Sequence, residues 1–286
     1  VRGGTRVLAD QAACPFRAFA RHRLGAEGIA SPADGLDARD RGNLLHALMA
    51  QLWGTLRTKS RLDCVSPAEL AAAIDDAARV AVAKVRAQRA GVLDGRLAEL
   101  ERARLAKLAR EWLAVESERG EFEVVAREEK RSLVAGGLTF NGRIDRMDKL
   151  AHGGHVLIDY KTGRATPNDW LGERPDDPQL PLYAIAAKED IGAVAYARIK
   201  AGEMRFMGLT REAGVLPKAK LAESWPGLFA EWRRELDELG GEFAQGVARV
   251  DPKRGLKTCR HCDLHSLCRV HERIAAMEDD DEGGDE

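Results

Sequence analysis

Apolar residues recur every three to four positions along the first part of the chain, the period of a helix with one buried face. Residues 10–25, "DQAACPFRAFARHRLG", predict a helix with Asp10 as N-cap and Gly25 as stop. Residues 38–57 predict a second. Residues 66–91 predict a third, opening on Ser66-Pro67 and closing at Gly91, and residues 95–120 a fourth. Beyond residue 120 the pattern shifts to β-branched residues and alternation. Residues 122–136, 138–150 and 155–163 predict strands, joined by turns at Gly136-Gly137 and "AHGGH". Helical spacing returns over 177–190. Two more strands follow at 192–200 and 203–210, then a helix over 218–243 that Pro226 either interrupts or begins. Residues 257–277 form a Cys-rich turn running into a short helix. The chain has no internal repeat, no Walker P-loop and no G-x-G-x-x-G, so it carries no nucleotide-driven motor.

Composition narrows the class. A chain of 286 residues, 44% hydrophobic, can bury a sizeable core. No run approaches 18 apolar residues, so no membrane span is expected. The opening "VRGGTRVLAD" lacks both an initiator Met and a signal-peptide core. It is what a fragment of a longer, cytoplasmic protein would show. The net charge of −1 conceals an asymmetry. The last ten residues hold seven acids and no bases, and without them 45 bases face 39 acids, a net of +6. A mildly basic body with a disordered acidic tail is compatible with a nucleic-acid partner. Five cysteines, with three between 259 and 268, point to a metal or cluster rather than to disulfides.

The chemistry concentrates in "HVLIDYKTGR", residues 155–164. On a strand, Asp159 and Lys161 share one face, and Ile158 and Tyr160 the other. Asp145 stands near the end of the preceding strand, so a hairpin would let it converge with Asp159. Two carboxylates beside a lysine suit a hard divalent cation such as Mg²⁺. Such an ion would polarise a phosphate and acidify a bound water, and Lys161 would hold that water or the developing negative charge. Taken alone, the same D-x-K is more often a surface ion pair.

"GRIDRMD", then "VLIDYKTG", then "QLPLYA" resembles the RecB-type branch of the PD-(D/E)XK nucleases. The resemblance implies Asp145, Asp159 and Lys161 as active-site residues, with the Gln-x-x-x-Tyr pair Gln179 and Tyr183 on one face of a following helix, orienting the lysine or touching the DNA backbone. It also implies a metal-ligating histidine in a G-x-x-x-H setting, here Gly42 and His46 of "GNLLHALM". Its metal set is then His46, Asp145, Asp159 and Tyr160, binding Mg²⁺ or Mn²⁺. A family Glu before the first Asp matches Glu128 or Glu129; alternation admits one of them, and Glu128 is preferred.

"CRHCDLHSLC" adds Cys259, Cys262 and Cys268 after that core, with Cys14 before it, a layout similar to AddB-like repair nucleases that hold a [4Fe-4S] cluster. Zn²⁺, with His261 or His265 as further ligands, is the chemical alternative. Cys64 falls outside the pattern and reads as a packing thiol. The expected fold is α/β: a PD-(D/E)XK, restriction-endonuclease-like core with a central mixed sheet flanked by helices, plus a helical N-terminal segment. Its parts are a helical segment over 1–120, a nuclease core over 121–250, a cluster segment over 251–276 and a disordered tail over 277–286, in one continuous domain. The implied function is Mg²⁺-dependent DNA hydrolysis in double-strand-break repair, exonucleolytic, with a helicase subunit or a missing helicase-like region as partner. A non-catalytic DNA-binding scaffold with the same fold is the rival, and intact Asp145, Asp159 and Lys161 weigh against it.

Overall fold

The computed structural model describes residues 2–29, 35–88 and 91–272; the acidic tail lies outside them. Helices α1 (Arg6–Ala13), α2 (Pro15–His22), α3 (Ala38–Leu56), α4 (Lys59–Cys64), α5 (Pro67–Gln88) and α6 (Gly95–Glu116) precede strands β1 (Phe122–Ala135), β2 (Leu138–Leu150) and β3 (His155–Lys161). Helix α7 (Gln179–Ala186), strands β4 (Ile191–Arg198), β5 (Arg205–Thr210) and β6 (Lys220–Leu221), and helix α8 (Trp225–Ala244) follow. Two single turns, α9 (Leu256–Cys259) and α10 (His265–Cys268), carry the late cysteines.

The strands form one mixed sheet in the order β1-β2-β3-β4-β5-β6. The β1-β2-β3 meander is antiparallel, β3 pairs parallel with β4, and β5 returns antiparallel. Period-two alternation sorts side chains to two cores. Val156, Ile158 and Tyr160 of β3, with Ala193, Ala195 and Ala197 of β4, pack against α3, α5 and α6. Leu157, Val194 and Tyr196 face α1, α7 and α8. Helices on both faces of a mixed sheet make this the expected α/β architecture. No helix among the described residues is long and apolar enough to cross a membrane.

The helix expected over 10–25 is two helices. Pro15 disfavours helical backbone at the residue before it, and Cys14 is extended at φ −168°, ψ 121°. The chain therefore folds back, and Asp10 is not an N-cap. It is buried inside α1, 2.7 Å from Arg17, 3.2 Å from Arg21 and 2.8 Å from His22, all on α2. Burial opposes its charge, but these partners hold its carboxyl below the usual range. Pro226 begins α8 behind the N-cap Ser224, while Lys220 and Leu221 ahead of it form a short edge strand. Ser66 and Glu69 cap α5 reciprocally, with Pro67 in the first turn. Cys64 is exposed at the end of α4, where Leu62 supplies the packing, so it is not a core thiol.

A buried ionic cluster joins α6 to the sheet. Arg146 of β2 donates to Glu116 (2.6 Å) and Asp148 (2.6 Å), and Arg119 reaches the same two acids at 2.7 and 2.8 Å. Arg146 also lies 3.9 Å over the Trp53 ring of α3. Two cations and two anions are withdrawn from water and paired, while Arg119 Nε and Nη2 make no hydrogen bond and its guanidinium lies 4.0 Å from the Phe122 ring centroid.

Candidate active site

Adjacent residues of β2 point to opposite faces, so Arg146 enters that cluster while Asp145 faces the other way. The β2–β3 ladder ends at Arg146↔Ile158. One step further, the Asp145 carboxylate takes the place of a ladder acceptor, its Oδ2 accepting from the Tyr160 backbone N–H at 3.0 Å. Asp145 thus sits five residues before the end of β2 rather than close to it, where the two strands part. Asp159 stands on the neighbouring strand, 3% exposed.

α3, set by a capping box of Asp37 and Asp40, brings His46 to this opening. Its Nδ1 lies 3.2 Å from Asp145 Oδ2 and 3.6 Å from Glu128 Oε1. Ligand atoms of His46, Glu128 and Asp145 all fall within 4.8 Å of one another. Glu128, not Glu129, faces the site; Glu129 pairs with Arg131 instead. Glu128 adopts φ +49°, and the β1–β2 register passes over it. A left-handed backbone at a non-glycine residue costs about 1–3 kcal/mol and is characteristic of functional positions.

Electrostatically the site is overloaded with acid. Burial and the nearby Asp145 push the Asp159 carboxyl up to about 7, against the pull of Lys161. Burial alone would lower His46, but its contacts with Asp145 and Glu128 raise it to about 10. Buried His46 Nδ1 and Asp159 Oδ2 lack any hydrogen bond of good geometry. Packed carboxylates, an imidazole and orphaned buried ligand atoms fit a hard divalent cation.

Lys161 Nζ lies 3.0 Å from Asp159 Oδ2 and 3.0 Å from Asp177 Oδ2. Burial opposes its charge, and the two acids outweigh it, raising its pKa. Asp177, which sequence reasoning missed, is braced by a 2.9 Å hydrogen bond from Tyr196 of β4. Its signal in the sequence was slight: an acid two residues before Gln179. Gln179 donates to Asp159 Oδ1 at 2.9 Å, so it orients the carboxylate and not the lysine. Tyr183 touches neither. Its hydroxyl accepts from Arg143 N–H at 2.9 Å and donates to Arg143 C=O at 3.0 Å, pinning α7 to β2. A Cβ at Gly142 would meet the Tyr183 ring at 2.5 Å, so this close approach requires glycine. The Tyr160 phenol belongs to the opposite core beside Arg146, so its side chain is no metal ligand; only its backbone borders the cleft. The cleft encloses about 960 Å³, and Lys130, Arg131 and Arg143 line it alongside the carboxylates.

A family model described as the PD-(D/E)XK nuclease superfamily matches residues 7–269. The chain belongs to the PD-(D/E)XK nuclease superfamily. Nuclease chemistry with a divalent metal is the activity that goes with it, and the carboxylate–histidine group is the place in this chain that fits the ion. A solved structure titled "Crystal structure of SSO0001" aligns with 92% of this chain and 94% of its own at 13% identity, with a TM-score of 0.31. No curated protein matches the sequence.

The cysteines of this nuclease lie elsewhere. Cys14 and Cys259 are buried, Cys262 and Cys268 half-buried, and none forms a disulfide. Backbone bonds from Phe16 to Arg249 and from Lys253 to Ala13 join the Cys14 turn to the C-terminal segment. Burial, then the neighbouring Cys262, Cys14 and Cys268, push the Cys259 thiol up. No three of these thiols come within 4.8 Å of one another, as the His46 group does. His265 is engaged with the Cys259 carbonyl at 2.8 Å.

Proposed function

We propose that this chain is a Mg²⁺- or Mn²⁺-dependent DNA nuclease of the RecB type, resembling the nuclease region of AddB-like proteins. In this reading it trims a DNA strand exonucleolytically, delivered by a helicase partner in double-strand-break repair. The observation that carries the catalytic assignment is the convergence of His46, Glu128 and Asp145 with Asp159 and Lys161 where β2 and β3 part. His46, Asp145, Asp159 and Glu128 would hold the metal, with the Tyr160 backbone beside them. The ion, once bound, supplies Lewis-acid polarisation of the phosphate and acidifies the attacking water. Gln179 fixes Asp159. Lys161 places a cation against the developing charge of the phosphate, with Asp177 setting its position. The repair setting and the helicase partner rest on the motif resemblance alone.

The same reading assigns Cys14, Cys259, Cys262 and Cys268 to a [4Fe-4S] cluster. An all-cysteine donor set around a buried thiol fits such a group. Thiolates suit both zinc and iron–sulfur, so metal analysis of the purified protein decides between the two. The test is cleavage of labelled single-stranded and duplex DNA with and without Mg²⁺, beside Asp159→Asn. Metal-dependent cleavage lost in the variant is expected; metal-independent cleavage, or an active variant, overturns the assignment.

A further inference from the structure

A second hollow of about 840 Å³ adjoins the catalytic cleft and shares Thr5, Arg6, Lys161 and Gln179 with it. The shared residues make the two one passage, with Lys161 at its middle. The second half is lined by Arg6, Arg164 and Arg254, and by the acids Asp169, Asp176 and Asp177. Those acids are already committed. Asp177 holds Lys161 and Tyr196. Asp176 takes Lys253 and Arg254. Asp169 caps the turn at Thr166. The cations are less committed. Arg164 is exposed and makes no ion pair or hydrogen bond among the described residues. The Arg6 side chain is 68% exposed and only 3.9 Å from Asp10 at closest. Arg254 is 60% exposed beyond its contact with Asp176.

We propose that the two hollows form one track for a single-stranded polynucleotide. Arg6, Arg164 and Arg254 hold phosphates of the stretch beyond the scissile bond. This rests on the nuclease reading above. Exposed guanidiniums along a groove, one of them unpaired, are what a phosphate backbone recruits. Asp145 and Asp159 are almost wholly buried, so the scissile phosphate must descend between the start of α1 and the β1–β2 hairpin. A lone strand can make that descent; a stacked duplex would have to open first. Arg254 also places the cysteine-bearing segment against the substrate.

The test is equilibrium binding of fluorescein-labelled oligothymidylates of 6 and 20 nucleotides, without divalent metal so that nothing is cut, across a salt series. Each lost phosphate contact lowers the slope of log affinity against log salt by roughly 0.7 for single strands. Arg164→Ala/Arg254→Ala should lower the slope on the 20-mer by about 1.4 and leave the 6-mer nearly unchanged. Arg164→Ala alone should lower it by about 0.7 and Arg164→Lys should restore it, which keeps the test open if the double variant folds poorly. An unchanged 20-mer slope overturns the proposal, as does a duplex of equal length that binds as tightly and loses the same contacts. Cleavage by the wild type with Mg²⁺ is scored separately. A slope change without any cleavage would overturn the nuclease reading and keep the track.

Discussion

Replacing Asp177 by Asn should slow cleavage while leaving DNA binding intact. Lys161 Nζ is 3.0 Å from an oxygen of each of two carboxylates, Asp159 and Asp177, and all three side chains are mostly buried. At an effective dielectric near 20, each contact carries about 5 kcal/mol of Coulomb attraction before desolvation is subtracted. Most of that is cancelled, and a net positional effect of about 1–2 kcal/mol is what remains. The two attractions pull against each other, so the ammonium is centred. Without the Asp177 charge it falls toward Asp159, onto the oxygen the metal needs. We expect kcat to fall on the order of tenfold, the rate equivalent of about 1.4 kcal/mol. The Mg²⁺ concentration for half-maximal activity should rise and KM for DNA should stay put. Asn can still accept from the Tyr196 hydroxyl, so the melting temperature should hold. Steady-state cleavage at a series of Mg²⁺ concentrations reads both effects. Wild-type kcat together with a wild-type Mg²⁺ titration would refute the reasoning, and Lys161 would then be held by Asp159 alone.

His46→Ala should raise the Mg²⁺ requirement first, because a lost ligand weakens binding before it touches anything else; an unchanged titration with a lower melting temperature would mark His46 as a packing residue. Arg146→Met should leave Glu116 and Asp148 sharing Arg119 alone, costing about 3–5 kcal/mol. At roughly 2.1 cal/mol/K per residue of unfolding entropy, that is a drop of about 5–8 °C in a thermal melt, and a drop under 1 °C would contradict a closed cluster. Tyr183→Phe should strand the Arg143 N–H and C=O, lower the melting temperature by a few degrees at about 1–3 kcal/mol, and loosen Gln179 enough to reduce cleavage. Anaerobically purified protein should contain about four irons per chain, and Cys14→Ala should lose them as Cys262→Ala does while Cys64→Ala keeps them; full metal content in Cys14→Ala would separate the early helix from the late cysteines.

The parts legible in the sequence were those in which spacing alone fixes geometry. Period two put Asp159 and Lys161 on one face of β3 and Tyr160 on the other, and the structure has them so. The long helices were legible because each carries a sustained stripe and a start signal, Ser66-Pro67 being the clearest. The break at Cys14 was legible in principle, since Pro15 disfavours helical backbone at the residue before it, but the apolar spacing across it concealed the turn. Asp177 and the Tyr183–Arg143 contact were not legible. They depend on how far α7 stands from β2, which no local pattern encodes. Nor was the Arg146 cluster, because a strand reading R-I-D-R-M-D looks solvated until α6 is known to cover one face.

That cluster bears on why the site stays where it is. Asp145 and Arg146 are consecutive, so β2 cannot turn one without turning the other. Arg146 is locked by two acids and the Trp53 ring from α3, the helix that also delivers His46. The same cluster therefore fixes the direction of Asp145 and brings the histidine's helix onto the sheet. From the other face, Tyr183 ties α7 to Arg143, and Gln179, one turn earlier, aims Asp159. Asp145 and Asp159 are thus held by elements packed on a rigid core, and of the site's acids Glu128 is the one with a left-handed backbone. His46, Lys161 and Arg143 offset part of the repulsion among these carboxylates, and the packed scaffold bears the rest. The site should therefore be preformed before metal arrives, and metal binding should raise the melting temperature without altering the circular dichroism of the fold. A large gain of helix or strand signal on adding Mg²⁺ would show that the ion assembles the site instead.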